Sequence, residues 1–283
     1  MELYPIEAGH FKLDGGAMFG VVPKTLWQKT NPADANNRIE MASRCLLVVH
    51  ENRQILIDCG MGNKQDTKFF SHYDRFGPFN LLNSLKNVGS HPEDITDVFF
   101  THLHFDHCGG AIKRNKQGAL VPTFKNAHYW VHQKHWAWAT TPNPREKASF
   151  LPENLKPIEA TGQLQFIVNE QKHLKETPFP FEIMLMDGHT EKQMLPVFDF
   201  KDEKIVYAAD LIPTVGHIPI PYVMGYDTRP LLTLKEKTWF MEQALENNYL
   251  LLLEHDTSHE LISLKNTEKG VRLDQSFTFE DYF

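Results

Sequence analysis

The chain has 283 residues, of which 41% are hydrophobic and 23% charged, an ordinary balance for a soluble globular protein and enough chain for one large α/β domain. A formal net charge of −7 argues against a broad nucleic-acid-binding surface. The opening Met1-Glu2-Leu3-Tyr4-Pro5-Ile6-Glu7 lacks the apolar core of a signal peptide, and no run reaches the ~20 apolar residues of a membrane span, so the expectation is a cytoplasmic protein without a membrane partner.

In chain order, the first signal is a pair of apolar runs, residues 45–50 and 54–58, joined by Glu51-Asn52-Arg53. This pattern predicts a hairpin. Cys45 and Cys59 flank it, and with Cys108 they make three cysteines with no CxxC pair, so no disulfide framework is expected. An aromatic segment, Phe69 and Phe70 through Phe76, follows. Leu81, Leu82, Leu85 and Val88 then recur at helical spacing, which predicts a helix over residues 78–88. His91-Pro92 breaks it. The strand-like Val98-Phe99-Phe100 leads into Thr101-His102-Leu103-His104-Phe105-Asp106-His107-Cys108-Gly109-Gly110. The two glycines are expected to let the backbone approach closely as it turns into a helix. A packing role for Cys108 is favoured over a reactive thiol.

A second aromatic segment runs from Trp130 through Trp136 and Trp138 to Phe150, with the loop signal Thr141-Pro142-Asn143-Pro144-Arg145 inside it. Two readings stay open: a lid or substrate wall, or a helical insertion whose aromatics pack against the body of the protein. His132 and His135 read as structural. Three more apolar runs end in polar residues: residues 183–186 before Asp187-Gly188-His189, residues 205–207 before Ala208-Ala209-Asp210, and residues 250–253 before Glu254-His255-Asp256. Residues 193–200 and 205–209, joined by Lys201-Asp202-Glu203-Lys204, predict a second hairpin. Residues 234–248 predict an amphipathic helix. His217, in a loop leading to Tyr222, is a candidate substrate contact.

The motif carries the chemistry. His102 and His104 are two apart, so an extended backbone points both to one side, whereas adjacent Asp106 and His107 diverge. One segment can therefore feed two neighbouring metals, since neutral imidazole and carboxylate are the ligands that zinc takes. Potential ligands just past buried strands sit on a rigid frame.

His102-x-His104-x-Asp106-His107, followed in order by His189, Asp210 and His255, resembles the metallo-β-lactamase superfamily over residues 9–256. The resemblance implies an αβ/βα sandwich of two mixed β-sheets flanked by helices, formed as a single domain over residues 1–283. It also implies two divalent ions, zinc by preference. His102, His104 and His189 would hold one metal, Asp106, His107 and His255 the other, with Asp210 bridging. Asp58 matches a position that orients a ligand histidine rather than binding metal. Flavodiiron members carry Glu where this chain has His104, so the hydrolytic branch is the better likeness. In that branch a hydroxide shared by two zincs ~3.5–4 Å apart attacks an electrophilic carbonyl or phosphorus, and Asp106 carries a proton to the leaving group.

Among the branches, the lactonase and organophosphate-hydrolase groups look most similar, through the motif itself, Asp210-Leu211-Ile212-Pro213 and Glu254-His255-Asp256. The expected substrate is a small molecule: a hydrophobic lactone or related ester bound beside Phe69, Phe70, Trp136, Trp138, His217 and Tyr222. Acyl-homoserine lactonases place a tyrosine three residues after the bridging aspartate. Here that position is Pro213, and Tyr222 or Tyr226 is the candidate stand-in. A phosphotriester hydrolase and a metal-retaining binding module without efficient turnover are the alternatives. The acidic net charge disfavours the RNA-processing members, and a homodimer is compatible with all these readings.

Overall fold

The computed structural model describes residues 1–282, which divide into two compact units: Met1–His10 with Ser43–Glu170, and Phe11–Ala42 with Gln171 onward. The first unit is built on a six-stranded mixed sheet in the order Glu2–Asp14, Arg38–His50, Arg53–Ile57, Asp97–Phe99, His128–His132 and Leu164–Ile167. Its first two strands run on into residues of the second unit. The expected hairpin forms, with Leu46 opposite Ile57 and His50 opposite Arg53. Glu51 takes the left-handed φ of 52° that so tight a turn needs. The next three pairings are parallel. Parallel strands are covered on both faces, so they read as continuous apolar runs. Ile55, Leu56, Ile57, Val98 and Phe99 are accordingly all 0% exposed.

The helix expected over residues 78–88 is shorter, Leu81–Asn87. The Asn80 side chain accepts from the amides of Leu82 and Asn83, a cap that fixes the start. Leu81 and Leu85 face the core with Leu56, Val98, Phe100 and Tyr129.

The second unit carries a seven-stranded sheet in the order Gly270–Phe277, Leu261–Thr267, Leu250–Leu252, Glu203–Tyr207, Gln193–Phe200, Glu182–Met186 and His173–Leu174. One pairing is parallel, Ile205 opposite Leu250 through Tyr207 opposite Leu252. The second hairpin closes through Lys201-Asp202 alone, whose φ values of 48° and 68° are both left-handed, the pattern of a type I′ turn. Glu203 and Lys204 already belong to the strand. The helix expected over residues 234–248 spans Pro230–Glu246. It starts earlier because proline supplies a ready first position. Phe240, Met241 and Ala244 bury one face against Val206, Leu251 and Ile262. Among the described residues, no helix is long and apolar enough to cross a membrane.

Candidate metal centre

In the first unit the motif follows directly on the strand Asp97–Phe99. Thr101 is fixed first: its amide donates to Asp58 Oδ1 at 2.8 Å and its hydroxyl to Asp58 Oδ2 at 2.6 Å. That hydroxyl has spent its proton, so the 3.0 Å contact with His102 Nδ1 requires the ring to donate. Nε2 is then the other contact atom of the His102 ring. His104 Nε2 lies 3.0 Å from Glu146 Oε1, which makes Nε2 the donor there. His102 Nε2 and His104 Nδ1 are 3.1 Å apart, a pair that shares a proton or takes a cation. Two nitrogens each about 2.0–2.1 Å from a tetrahedral zinc lie roughly 3.3 Å apart, so the pair fits a zinc bite. His107 follows the same rule: Nδ1 lies 3.1 Å from Asp58 Oδ2 and Nε2 4.0 Å from Asp106 Oδ2. Asp58 thus contacts both His107 and Thr101.

The backbone of the motif departs from expectation. The helix lies inside it, at Phe105–Cys108, and Gly109–Ala111 form a 3-10 turn. The glycines serve close approach: a Cβ on Gly109 would meet the Met61 carbonyl oxygen at 2.1 Å, and one on Gly110 the Cys59 oxygen at 2.1 Å. Leu103 is clamped between the two histidines. Its amide donates to His135 Nε2 at 2.8 Å and its carbonyl accepts from the Cys108 thiol at 3.3 Å. Burial pushes that thiol up to about 12, so Cys108 is a packing group.

In the second unit, His189 follows Glu182–Met186, Asp210 follows Glu203–Tyr207, and His255 follows Leu250–Leu252. His255 Nδ1 donates to the Ala42 carbonyl at 2.7 Å, and its Nε2 faces Asp210 Oδ1 at 3.0 Å. His189 Nδ1 lies 2.9 Å from Asp227 Oδ1, and its Nε2 lies 3.0 Å from Asp210 Oδ2. Asp210 therefore offers one oxygen to each histidine, the arrangement of a carboxylate that can bridge two cations. Burial opposes charge on His189, but the Asp210 and Asp227 carboxylates outweigh it and hold the ring up at about 10. The turn Asp187-Gly188 before His189 is secured by Glu236, whose carboxylate accepts both amides at 2.7 and 2.8 Å. Asp187 itself takes Lys192 N and Nζ, so it builds a turn.

The remaining candidates separate. Phe69 and Tyr73 pack on Phe105 of the motif, with ring centroids 5.3 and 4.9 Å away, and the Arg75 guanidinium lies 3.4 Å over Phe70. This aromatic wall adjoins the ligand segment. Trp136 belongs instead to the core of the first unit, with Trp138 packed against it, on the helix Gln133–Thr140. The helical-insertion reading therefore holds for both tryptophans, and their apolar surface is spent on packing. His217 is also corrected. It is buried, stacked on Phe19 at 4.3 Å, and both ring nitrogens are engaged, by Thr214 Oγ1 and the Met18 carbonyl. Burial drives it down to about 3, so it is a neutral tie between segments. Tyr222 stays half-buried and lines a groove of about 560 Å³ with Ile218, Pro219, Ile220 and Val271. Lys237 holds that loop through the carbonyls of Pro219 and Tyr222.

Sequence reading missed Glu146 and Asp227, the carboxylates behind His104 and His189. Each stands about forty residues from its histidine in a loop without periodicity, and no local signal marks it.

Comparison with known proteins places the chain in one superfamily. An N-acyl homoserine lactonase from a Bacillus species is 30% identical over 139 residues, which cover 43% of this chain and 46% of the lactonase. The match thus spans about half the length of that relative. A probable metal-dependent hydrolase from Staphylococcus aureus shares 27% identity and superposes with a TM-score of 0.85 over 98% of both chains. AidC, a dizinc quorum-quenching lactonase, superposes at 0.78 over 98% of this chain and 95% of its own, with 23% identity, a likeness of fold. The family model of the metallo-beta-lactamase superfamily matches residues 38–240, which take in the motif, His189 and Asp210. With mixed sheets, helices, and histidines and carboxylates at its strand ends, the chain belongs to the metallo-beta-lactamase superfamily.

Proposed function

We propose that this protein is a metal-dependent hydrolase that opens a hydrophobic lactone or cleaves a related carboxylic ester, and that it is a single domain with a dinuclear metal centre. His102, His104 and His189 would hold one ion, Asp106, His107 and His255 the second, and Asp210 would bridge. One observation carries the reading. Each of the five histidines has one ring nitrogen held by Thr101, Glu146, Asp58, Asp227 or the Ala42 carbonyl, which sets the other nitrogen as the atom a metal would take. Five buried histidines held in this way fit cations, and zinc foremost, because it takes imidazole with carboxylate.

Bound divalent ions supply Lewis acidity and a deprotonated water near neutral pH. The chain supplies the rest. Asp106, next to His107, can hold a proton at its carboxylate and pass it to the leaving oxygen. The Phe69, Phe70 and Tyr73 rings beside Phe105 offer an apolar surface to an acyl chain, at ~25 cal/mol per Å² buried. Tyr222 is the candidate donor where related lactonases carry tyrosine and this chain has Pro213.

The test is a panel of lactones with graded acyl chains, aryl esters and phosphotriesters, assayed on protein of measured metal content. Longer acyl chains should lower KM more than they raise kcat, because such contact is made equally in the ground and transition states. Phe69→Ala should flatten that dependence. Hydrolysis of phosphotriesters alone would move the assignment to the organophosphate class. Tyr222→Phe with lactone turnover intact would end its role as stand-in.

A further inference from the structure

The aromatic insertion has a second property that substrate binding does not explain. Glu146, at its far end, is 3% exposed. Its Oε1 faces His104 Nε2 at 3.0 Å. Its Oε2 accepts the Trp138 indole N–H at 2.6 Å and the Asn143 amide at 3.1 Å. The loop carrying it is locked by its own backbone. Asn143 Oδ1 accepts the amides of Arg145 and Glu146, the Glu146 carbonyl accepts from Ser149 N, and the Ser149 carbonyl accepts from Phe105 N at 3.0 Å. Phe150 then packs on the His104 ring at 4.9 Å. The carboxylate is thus fixed from three sides, and its anchor returns to the residue next to His104.

We propose that Glu146 is a positioning residue of the metal centre. It holds His104 with Nδ1 as the coordinating atom, and the insertion from Trp138 to Phe150 is the frame that keeps it there. The geometry explains why His104 differs from the other four histidines. His102, His107, His189 and His255 are tied at Nδ1, which leaves Nε2 inward, whereas His104 is tied at Nε2. A ring turned this way sits closer to the backbone, so its orientation depends on a partner that reaches its outer end. A buried anion there also strengthens the imidazole as a donor, as carboxylates behind ligand histidines do. Trp138 then acts through its N–H, which fixes the carboxylate plane, in place of the substrate contact expected of it.

This inference rests on the proposed metal reading, so the test measures metal and activity separately. Zinc affinity of the metal-stripped full chain is read by competition with a chromophoric chelator. The visible spectrum of the cobalt(II)-loaded protein reports ligand geometry. Glu146→Gln keeps the shape and removes the charge. It should weaken zinc binding about 10–100-fold and shift the cobalt bands, with the metal-free melting temperature kept within a few degrees. Trp138→Phe should weaken zinc in the same direction by a smaller factor, and it serves if Glu146→Gln fails to fold. Wild-type protein that binds metal, with both variants equal to it in affinity and spectrum, overturns the inference and leaves the metal reading standing. Wild-type protein that takes up no metal overturns both.

Discussion

Asp210 has one oxygen 3.0 Å from His189 Nε2 and the other 3.0 Å from His255 Nε2, so Asp210→Ala removes two contacts at once. Elemental analysis should find about two metals in the wild-type chain, as in two-metal hydrolytic sites, and about one or fewer in this variant. His217→Ala should keep its metal, because both nitrogens of His217 are engaged by Thr214 and Met18. The opposite pattern would refute the ligand assignment. His189 gives a second prediction. Its pKa is raised from 6.5 to about 10, so the metal-free fold binds a proton there that the unfolded chain releases sooner. That stabilisation is complete below 6.5 and fades as pH rises through about 10. Zinc needs the same lone pair, so uptake at pH 8 must expel the proton. Calorimetry in buffers of different ionisation enthalpy should then give different apparent heats, and buffer-independent heats would contradict it. The seven proposed ligands were legible in the sequence because four of them crowd into one motif and the others follow apolar runs. Glu146 and Asp227 were not, since a carboxylate becomes a partner only once the fold sets it against a particular ring. His217, Trp136 and Trp138 were misjudged for the converse reason, because residue type does not reveal which surface is spent on packing.

Whole elements test the packing argument. Lys201-Asp202 turns with both residues left-handed, a conformation that costs non-glycine residues roughly 1–2 kcal/mol, and glycine favours the second position. Asp202→Gly should therefore raise stability by about 0.5–1 kcal/mol after glycine's own entropy cost, seen as a higher melting temperature. A lower one would mean that Asp202 makes a contact worth more than the strain. Gly109 works the other way. A methyl there meets the Met61 carbonyl oxygen, and rigid backbone cannot yield as a side chain tip can. Gly109→Ala should cost about 1–3 kcal/mol and lower metal content as well, because the displaced turn directly follows the helix that carries His107. The two hairpins and the ligand strands were readable from alternation and length. The helix Phe105–Cys108 was not, because four residues carry no periodicity. The start of Pro230–Glu246 was missed because its first turn is partly exposed, so the apolar spacing begins later than the helix.

Across the molecule, the chain passes between the two units at residues 10/11, 42/43 and 170/171, and the proposed ligands fall in both, the motif in the first and His189, Asp210 and His255 in the second. On the proposed reading residues from His102 to His255 hold metal, so metal binding is linked to folding of the whole chain rather than of one part. A ligand that binds only the folded state at 100 times its Kd adds about 2.7 kcal/mol. For a chain of this size that corresponds to roughly 5–10 °C in melting temperature. Calorimetric scans of stripped protein with added zinc should show one transition that moves upward as a whole, and turnover should return with it. Asp210→Ala should lose most of the shift, while Tyr222→Phe should retain it, since a substrate donor bears no metal. Chelator should reverse the shift and abolish turnover together. Two transitions, of which zinc moves only one, would mean that the metal belongs to a single unit. Activity that survives in protein shown to be free of metal would remove the hydrolytic mechanism altogether.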